Sequence, residues 1–131
     1  EWDWNPENDR LNRLKNNITE FVNYNCNKQE MRSVGDIRPD RYYIHDFWGN
    51  IYRKGDYTKP HAHRPSVFSF VYFLKSKWYH SPLVFSDGGE KIRPTEGTFV
   101  IFPAHLNHLV PKHRYRETRI TLSGNMRIKK S

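Results

Sequence analysis

One cysteine, Cys26, stands in the whole sequence, which rules out an intrachain disulfide and a zinc site built on thiolates. Cys26 is expected to be inert packing. No apolar run approaches the length needed to cross a bilayer and no signal peptide opens the chain, so no membrane is expected and the cytoplasm is the expected setting. Apolar residues make up only 36% of the chain. A core must therefore come from a few large side chains, and eight Phe, eight Tyr and four Trp supply them. Acidic residues are scarce as well: 14 Asp and Glu against 22 Lys and Arg leave a formal charge of +8. The basic residues are spread from Arg10 to Lys130, with only short pairs such as Arg53-Lys54 and Lys129-Lys130. With no basic arm or recognition helix, nucleic acid is not an expected partner. The charge reads as solubility with a bias toward anionic ligands.

The length, 131 residues, suits one domain spanning 1–131, with a helical part over 1–40 and a β core over 41–131. Residues 5–25 predict a helix, started at Asn5-Pro6, with Leu11, Leu14, Ile18, Phe21 and Val22 on one face at helical spacing. Residues 26–40, with Gly35 and Pro39, read as a connection. From Arg41 the pattern changes to short strands between turns: 42–52, 67–74, 83–85, 98–102, 109–110 and 118–123. Arg53-Lys54-Gly55-Asp56 and Asp87-Gly88-Gly89 punctuate them. Short strands at regular spacing without intervening helices predict a sandwich or barrel, mainly β, with the N-terminal helix packed on it.

Two stretches carry the chemistry. The first runs from Gly55 to His63 and ends in His61-Ala62-His63. Residues two apart on a strand share a face, so this pair can reach one metal ion. The second runs from Gly97 to His108, where a strand, a turn at Pro103 and a return strand bring His108 back toward the pair. Three imidazoles on a β scaffold leave coordination positions open for water, substrate or oxygen. His105 and His113 stand close enough in sequence to replace His108 as the third ligand, while His45 and His80 read as incidental.

These stretches resemble known families. Gly55-x5-His61-x-His63 and Gly97-x5-Pro103-x4-His108 are similar to the two motifs of the cupins, although residues 64–70, RPSVFSF, lack the glutamate expected after the pair. A closer resemblance is to the 2-oxoglutarate/Fe(II) oxygenases, the superfamily that includes prolyl hydroxylases. It rests on Trp48, Gly55, His61, His63, Tyr72-Phe73 and Leu83-Val84-Phe85-Ser86-Asp87, then Pro94-Thr95-Glu96-Gly97, Phe102-Pro103, His108 and Arg119-Ile120-Thr121. That ordered set covers residues 41–128. It implies a double-stranded β-helix, or jelly roll, with Fe(II) and the cosubstrate 2-oxoglutarate as cofactors.

The resemblance implies metal ligands at His61, His63 and His108, with histidine at 63 where the superfamily has a carboxylate. It also implies that Arg119, eleven residues after His108, grips the far carboxylate of 2-oxoglutarate through a two-pronged guanidinium contact, with Thr121 adding a hydroxyl. Tyr72 is read either as a further cosubstrate contact or as plain core. Trp48, Asn50 and Tyr52 alternate on one strand face, as the lining of a substrate cleft or as core and edge residues. The expected activity is oxidation of a small molecule or a protein side chain. Two other readings stand beside it: a cupin-like three-histidine metalloenzyme that needs no 2-oxoglutarate, and a non-catalytic metal- or ligand-binding jelly roll.

Overall fold

In the computed structural model, which describes residues 9–30, 41–61 and 66–129, one helix leads into eight strands. Helix α1 spans Asp9–Glu30. Its described part runs five residues past the expected end at 25, into the segment read as a connection. The reason lies in Asn27-Lys28-Gln29-Glu30: no Gly or Pro interrupts it, and three of the four are good helix formers. The expected first turn at residues 5–8 and most of the 26–40 connection lie outside the described residues. Among the described residues, no helix is long and apolar enough to cross a membrane.

The strands are β1 (Tyr42–Tyr52), β2 (Thr58–His61), β3 (Phe68–Lys75), β4 (Leu83–Phe85), β5 (Lys91–Ile92), β6 (Phe99–Pro103), β7 (His108–Val110) and β8 (Arg119–Ile128). They form two four-stranded antiparallel sheets, ordered β1-β8-β3-β6 and β2-β7-β4-β5. This is the jelly roll that the spacing of short strands predicts. Strand β5 is a short addition to the expected set, paired to β4 through Leu83–Ile92 and Val84–Lys91. Strand β8 ends five residues beyond the expected end at 123. It passes through Gly124, a residue that normally weakens a strand. A Cβ at Gly124 would lie 2.4 Å from Phe70 Cζ and 2.8 Å from the Asp46 carbonyl oxygen, so the Phe70 ring occupies the space of the missing side chain.

Two apolar layers result. Outside the first sheet, Ile18 and Val22 of α1 pack on Tyr42, Phe70 and Met126, with Leu14, Ile44 and Phe99 around them. Between the sheets, Tyr52, Leu83, Phe85, Phe102 and Val110 form the second cluster. The helix is also tied to the sheet by hydrogen bonds. Buried Asn23 donates from Nδ2 to the Tyr42 carbonyl (2.9 Å) and accepts from the Tyr42 N–H at Oδ1 (2.8 Å). These two bonds satisfy the first residue of β1, which has begun its strand beside the helix. Replacing Asn23 with Ala removes both of these bonds from buried backbone groups. The expected cost is about 1–3 kcal/mol, read as a lower urea midpoint with an unchanged slope.

Candidate functional site

The odd-numbered residues of β8 face the space between the sheets. Arg119, Thr121, Ser123 and Asn125 are all buried, and all line one cavity of about 70 Å³. The register sets them opposite an inward row on β1: Tyr52 faces Arg119, Asn50 faces Thr121, and Trp48 faces Ser123. From the other side β3 contributes Ser69 and Val71, and the roof comes from Leu83, Phe102, His108 and Val110. The volume is enough for several water-sized occupants. It joins a polar wall to a largely apolar roof.

The polar wall is organised by hydrogen bonds. Asn50 donates from Nδ2 to Ser123 Oγ (3.0 Å) and Thr121 Oγ1 (3.3 Å). Ser69 donates to Asn125 Oδ1 (2.8 Å), and Asn125 donates on to Asp46 Oδ2 (3.3 Å). Arg119 stands apart from this network. It is 1% exposed, yet Nε and Nη1 have no hydrogen-bond partner. Its guanidinium lies between two rings, 5.2 Å from the centre of Tyr52 and 5.8 Å from that of Phe73. Such contacts favour the cation but give the N–H groups no acceptor. Burial pushes its pKa down from the ordinary value, with Tyr52 partly opposing. A buried cation with idle donors, aimed at a cavity, is the signature of a site for an anion.

His108 opens β7 and sits 5% exposed on the cavity roof. Its ring packs on Phe102 at 4.9 Å between centres. Nδ1 lies 3.1 Å from the Leu106 carbonyl, so that nitrogen carries the proton and Nε2 carries the lone pair, the tautomer a metal ligand uses. The β2–β7 register sets His61 directly opposite His108. His63 lies outside the described residues. Of the two substitutes for His108, His105 is exposed in a turn, and His113 is buried in a separate cluster away from the cavity lining.

Tyr72 is placed differently from the cosubstrate-contact reading. It sits between Val71 and Phe73, whose side chains face the cavity side, so the strand period turns Tyr72 to the opposite face, and it does not line the cavity. Trp48, Asn50 and Tyr52 all line it, as does Thr121. The sequence reading missed Ser69, Ser123 and Asn125. A usable signal was present: Arg119-Ile-Thr-Leu-Ser-Gly-Asn125 alternates polar with non-polar throughout, and reading the strand past Ser123 would have brought in Asn125.

His80 is likewise not incidental. It is 1% exposed, accepts the Lys77 N–H at Nδ1 (3.1 Å), and meets the fully buried His113 ring at 4.7 Å, edge to face. His113 donates from Nε2 to the Glu117 carbonyl at 2.5 Å. Burial lowers the His80 pKa, with His113, Arg119 and Lys77 adding to that and Glu117 opposing.

Two expectations follow. Arg119→Met keeps a long apolar stem between Tyr52 and Phe73 but removes the unpaired buried charge, so the ligand-free protein should gain about 1–3 kcal/mol, measured by urea unfolding. A loss of that size would mean that the guanidinium is satisfied. For His80, the folded-state pKa lies below the ordinary 6.5, so the unfolded chain takes up the proton first. Its stabilising contribution is then full above pH 6.5 and lost as pH falls through the lower folded value. His80→Asn keeps an acceptor for Lys77 N–H and should flatten the decline of melting temperature on acidification.

Comparison with known proteins agrees with this architecture. No protein-family model matches the sequence, and no curated protein matches it either. Solved structures do. The viral collagen prolyl hydroxylase of Paramecium bursaria Chlorella virus-1, in its 2-oxoglutarate complex, superposes with a TM-score of 0.74 at 17% identity, over 99% of this chain and 79% of that one. A 2OG-Fe(II) oxygenase family oxidoreductase from Burkholderia pseudomallei gives 0.59 at 20% identity, over 66% of this chain. A prolyl-4-hydroxylase from Pseudomonas putida gives 0.53 at 22% identity, again over 66% of this chain. The chain spans 45% and 54% of the lengths of those two bacterial proteins. At these identities the likeness establishes the fold: the chain has the jelly roll found in 2-oxoglutarate/Fe(II) oxygenases and prolyl hydroxylases.

Proposed function

We propose that this protein is an oxygenase that uses Fe(II) and 2-oxoglutarate to oxidise a small-molecule or side-chain substrate. The observation that carries the reading is Arg119, a buried cation with two unpaired nitrogens on the wall of a cavity whose roof holds His108. A dicarboxylate fits that arrangement because one end can meet the guanidinium while the other reaches the metal.

The residues present suit both groups. His108, with its tautomer held by Leu106, and its register partner His61 would hold the iron, joined by His63. All three are imidazoles, which ferrous iron accepts, as do zinc and nickel. Arg119 would take the distal carboxylate in a forked contact, and the Thr121 hydroxyl, which accepts from Asn50, still has its own proton to donate to the same group. Iron bound there supplies oxygen activation, coupling decarboxylation of 2-oxoglutarate to oxidation of a C–H bond. The chain's own part is to orient and to shield. Tyr52 and Phe73 keep the guanidinium in place, and Asn50 fixes the Thr121 and Ser123 hydroxyls. Leu83, Phe102 and Val110 keep bulk water from the roof.

The test is anaerobic Fe(II) titration with and without 2-oxoglutarate, following the visible charge-transfer band of the chelate and, in parallel, binding heat. The band should form with the wild type and be lost with His108→Ala, which should not hold iron stoichiometrically. Arg119→Ala should keep iron but bind 2-oxoglutarate more weakly by roughly 1.5–3 kcal/mol, the scale of hydrogen bonds to a charged group. Arg119→Lys should recover part of this, because it restores the charge without the fork. Unchanged 2-oxoglutarate affinity in Arg119→Ala would sink the anchor. Iron binding with no response to 2-oxoglutarate would make the three-histidine enzyme without that cosubstrate the better description.

A further inference from the structure

Cations that are scattered along the sequence meet at one end of the barrel. Strand β1 ends there at Tyr52, β3 at Lys75, and β8 begins there at Arg119. The loops that join these ends are bound to one another. The backbone of His113 exchanges two hydrogen bonds of 2.7 Å with the 53–56 turn, at Gly55 and Asp56. Ser81 donates to the Lys112 carbonyl (3.0 Å), and the His80 and His113 rings meet at 4.7 Å. Around this knot stand Arg53, Lys54, Lys77, Lys112, Arg114 and Arg116, all exposed.

The balancing acids are fewer and already engaged. Asp56 accepts the Arg53 N–H, Glu96 accepts the Ser76 N–H, and Glu117 accepts the Tyr79 hydroxyl. Among the described residues, no ion pair involves Lys112, Arg114 or Arg116. The end is therefore a net positive surface rather than a neutral mosaic.

Aromatic faces are set among these charges, and they are held in place. Trp78 is 74% exposed and meets Tyr79 edge to face at 5.7 Å. Tyr79 packs on Tyr115 at 4.7 Å, and His80 stacks under Tyr115 at 5.5 Å with 28° between planes. The buried histidine pair is thus the floor of an aromatic platform. An exposed tryptophan costs free energy in water unless something covers it, and an indole at a net positive end of the barrel does not suit an apolar partner. It suits flat, π-faced groups carried on a regularly spaced anionic backbone.

We infer that this end of the barrel binds single-stranded nucleic acid, with bases stacking on Trp78 and Tyr115 and phosphates paired to Lys112, Arg114 and Arg116. Stacking of this kind is indifferent to sequence because every base has a face. An acidic polypeptide matches the charge but leaves the aromatic platform unused. None of Trp78, Tyr115, Lys112, Arg114 and Arg116 lines the cavity, so the inference does not rest on the oxygenase reading.

Fluorescence anisotropy with a labelled thymidine oligonucleotide and a labelled uridine oligonucleotide tests this on the full chain. The logarithm of affinity should fall with that of salt by about 0.7 per phosphate contact; for the three contacts named that is roughly 20-fold between ~50 and ~200 mM. Arg114→Glu with Arg116→Glu should weaken binding more than tenfold and reduce that slope. Arg10→Glu with Arg13→Glu, exposed on α1, makes the same change in net charge and should shift affinity less than twofold. Trp78→Ala should weaken binding about tenfold with the slope unchanged, since it removes a stack and no charge. Melting temperatures within a few degrees of wild type confirm folding of each variant. Absence of binding at ~50 mM salt overturns the proposal, as does equal weakening by the two charge pairs. Displacement by polyglutamate together with an inert Trp78→Ala also overturns it, and would mark the surface as one for acidic polypeptides.

Discussion

Strand β8 is hydrogen-bonded along both edges, to β1 and to β3, and no other strand of the first sheet has so long a double partnership. A strand held on both edges cannot rotate or slip, because a shift of one residue would exchange its two faces. Its alternation therefore divides the molecule. Leu122, Gly124 and Met126 go to the layer under α1, where Met126 joins Ile18, Val22 and Phe70. Arg119, Thr121, Ser123 and Asn125 go to the cavity. The apolar half holds the fold together, and the polar half carries the chemistry. Each half requires the other's register.

Gly124 shows how tightly the two are linked. Phe70 needs the space beside β8 to complete the core, and only glycine leaves it. Closure of the apolar layer then keeps β8 flat against β3, which brings Ser69 within reach of Asn125. The position of a cavity hydroxyl is thus decided by an apolar contact on the other face of the sheet.

The strands that were legible in the sequence are those whose own residues decide their state. Tyr42–Tyr52 is rich in aromatic and β-branched residues and ends at the Arg53–Asp56 turn, so local chemistry suffices. The inward row of Trp48, Asn50 and Tyr52 follows from the period of two. What was not legible depends on partners. The length of β8 past Ser123 needs Phe70 as neighbour, and β5 exists only because Leu83 and Val84 offer it an edge. Tyr72 illustrates the same limit in the site: the aromatic pair Tyr72-Phe73 marks a strand, but which ring turns inward is fixed by the pairing with β8. The buried His80–His113 pair was invisible for another reason, since its members are 33 positions apart and neither belongs to a motif.

Electrostatics narrows what the cavity can hold. Among the described residues, its lining contains one cation, Arg119, and no carboxylate. Burial weakens the screening that water would give, so this charge acts on anything admitted more strongly than it would in water. A divalent metal ion held near His108 by neutral imidazoles would add to the positive charge instead of offsetting it. The sequence has histidine at 63, where the resemblance to the 2-oxoglutarate/Fe(II) oxygenases implies a carboxylate. On the proposed ligand set, negative charge would arrive with the bound ligand. A neutral molecule would leave the guanidinium unpaired, and a monoanion would satisfy only one end. On the proposed function, a dianion with its charges at two ends can meet both cations at once, one end at Arg119 and the other at the metal. The same reasoning predicts positive coupling: each of the two cations destabilises the other until the dianion spans them, so metal and dicarboxylate should tighten one another's binding, measured as a lower Kd for each in titrations with the other present.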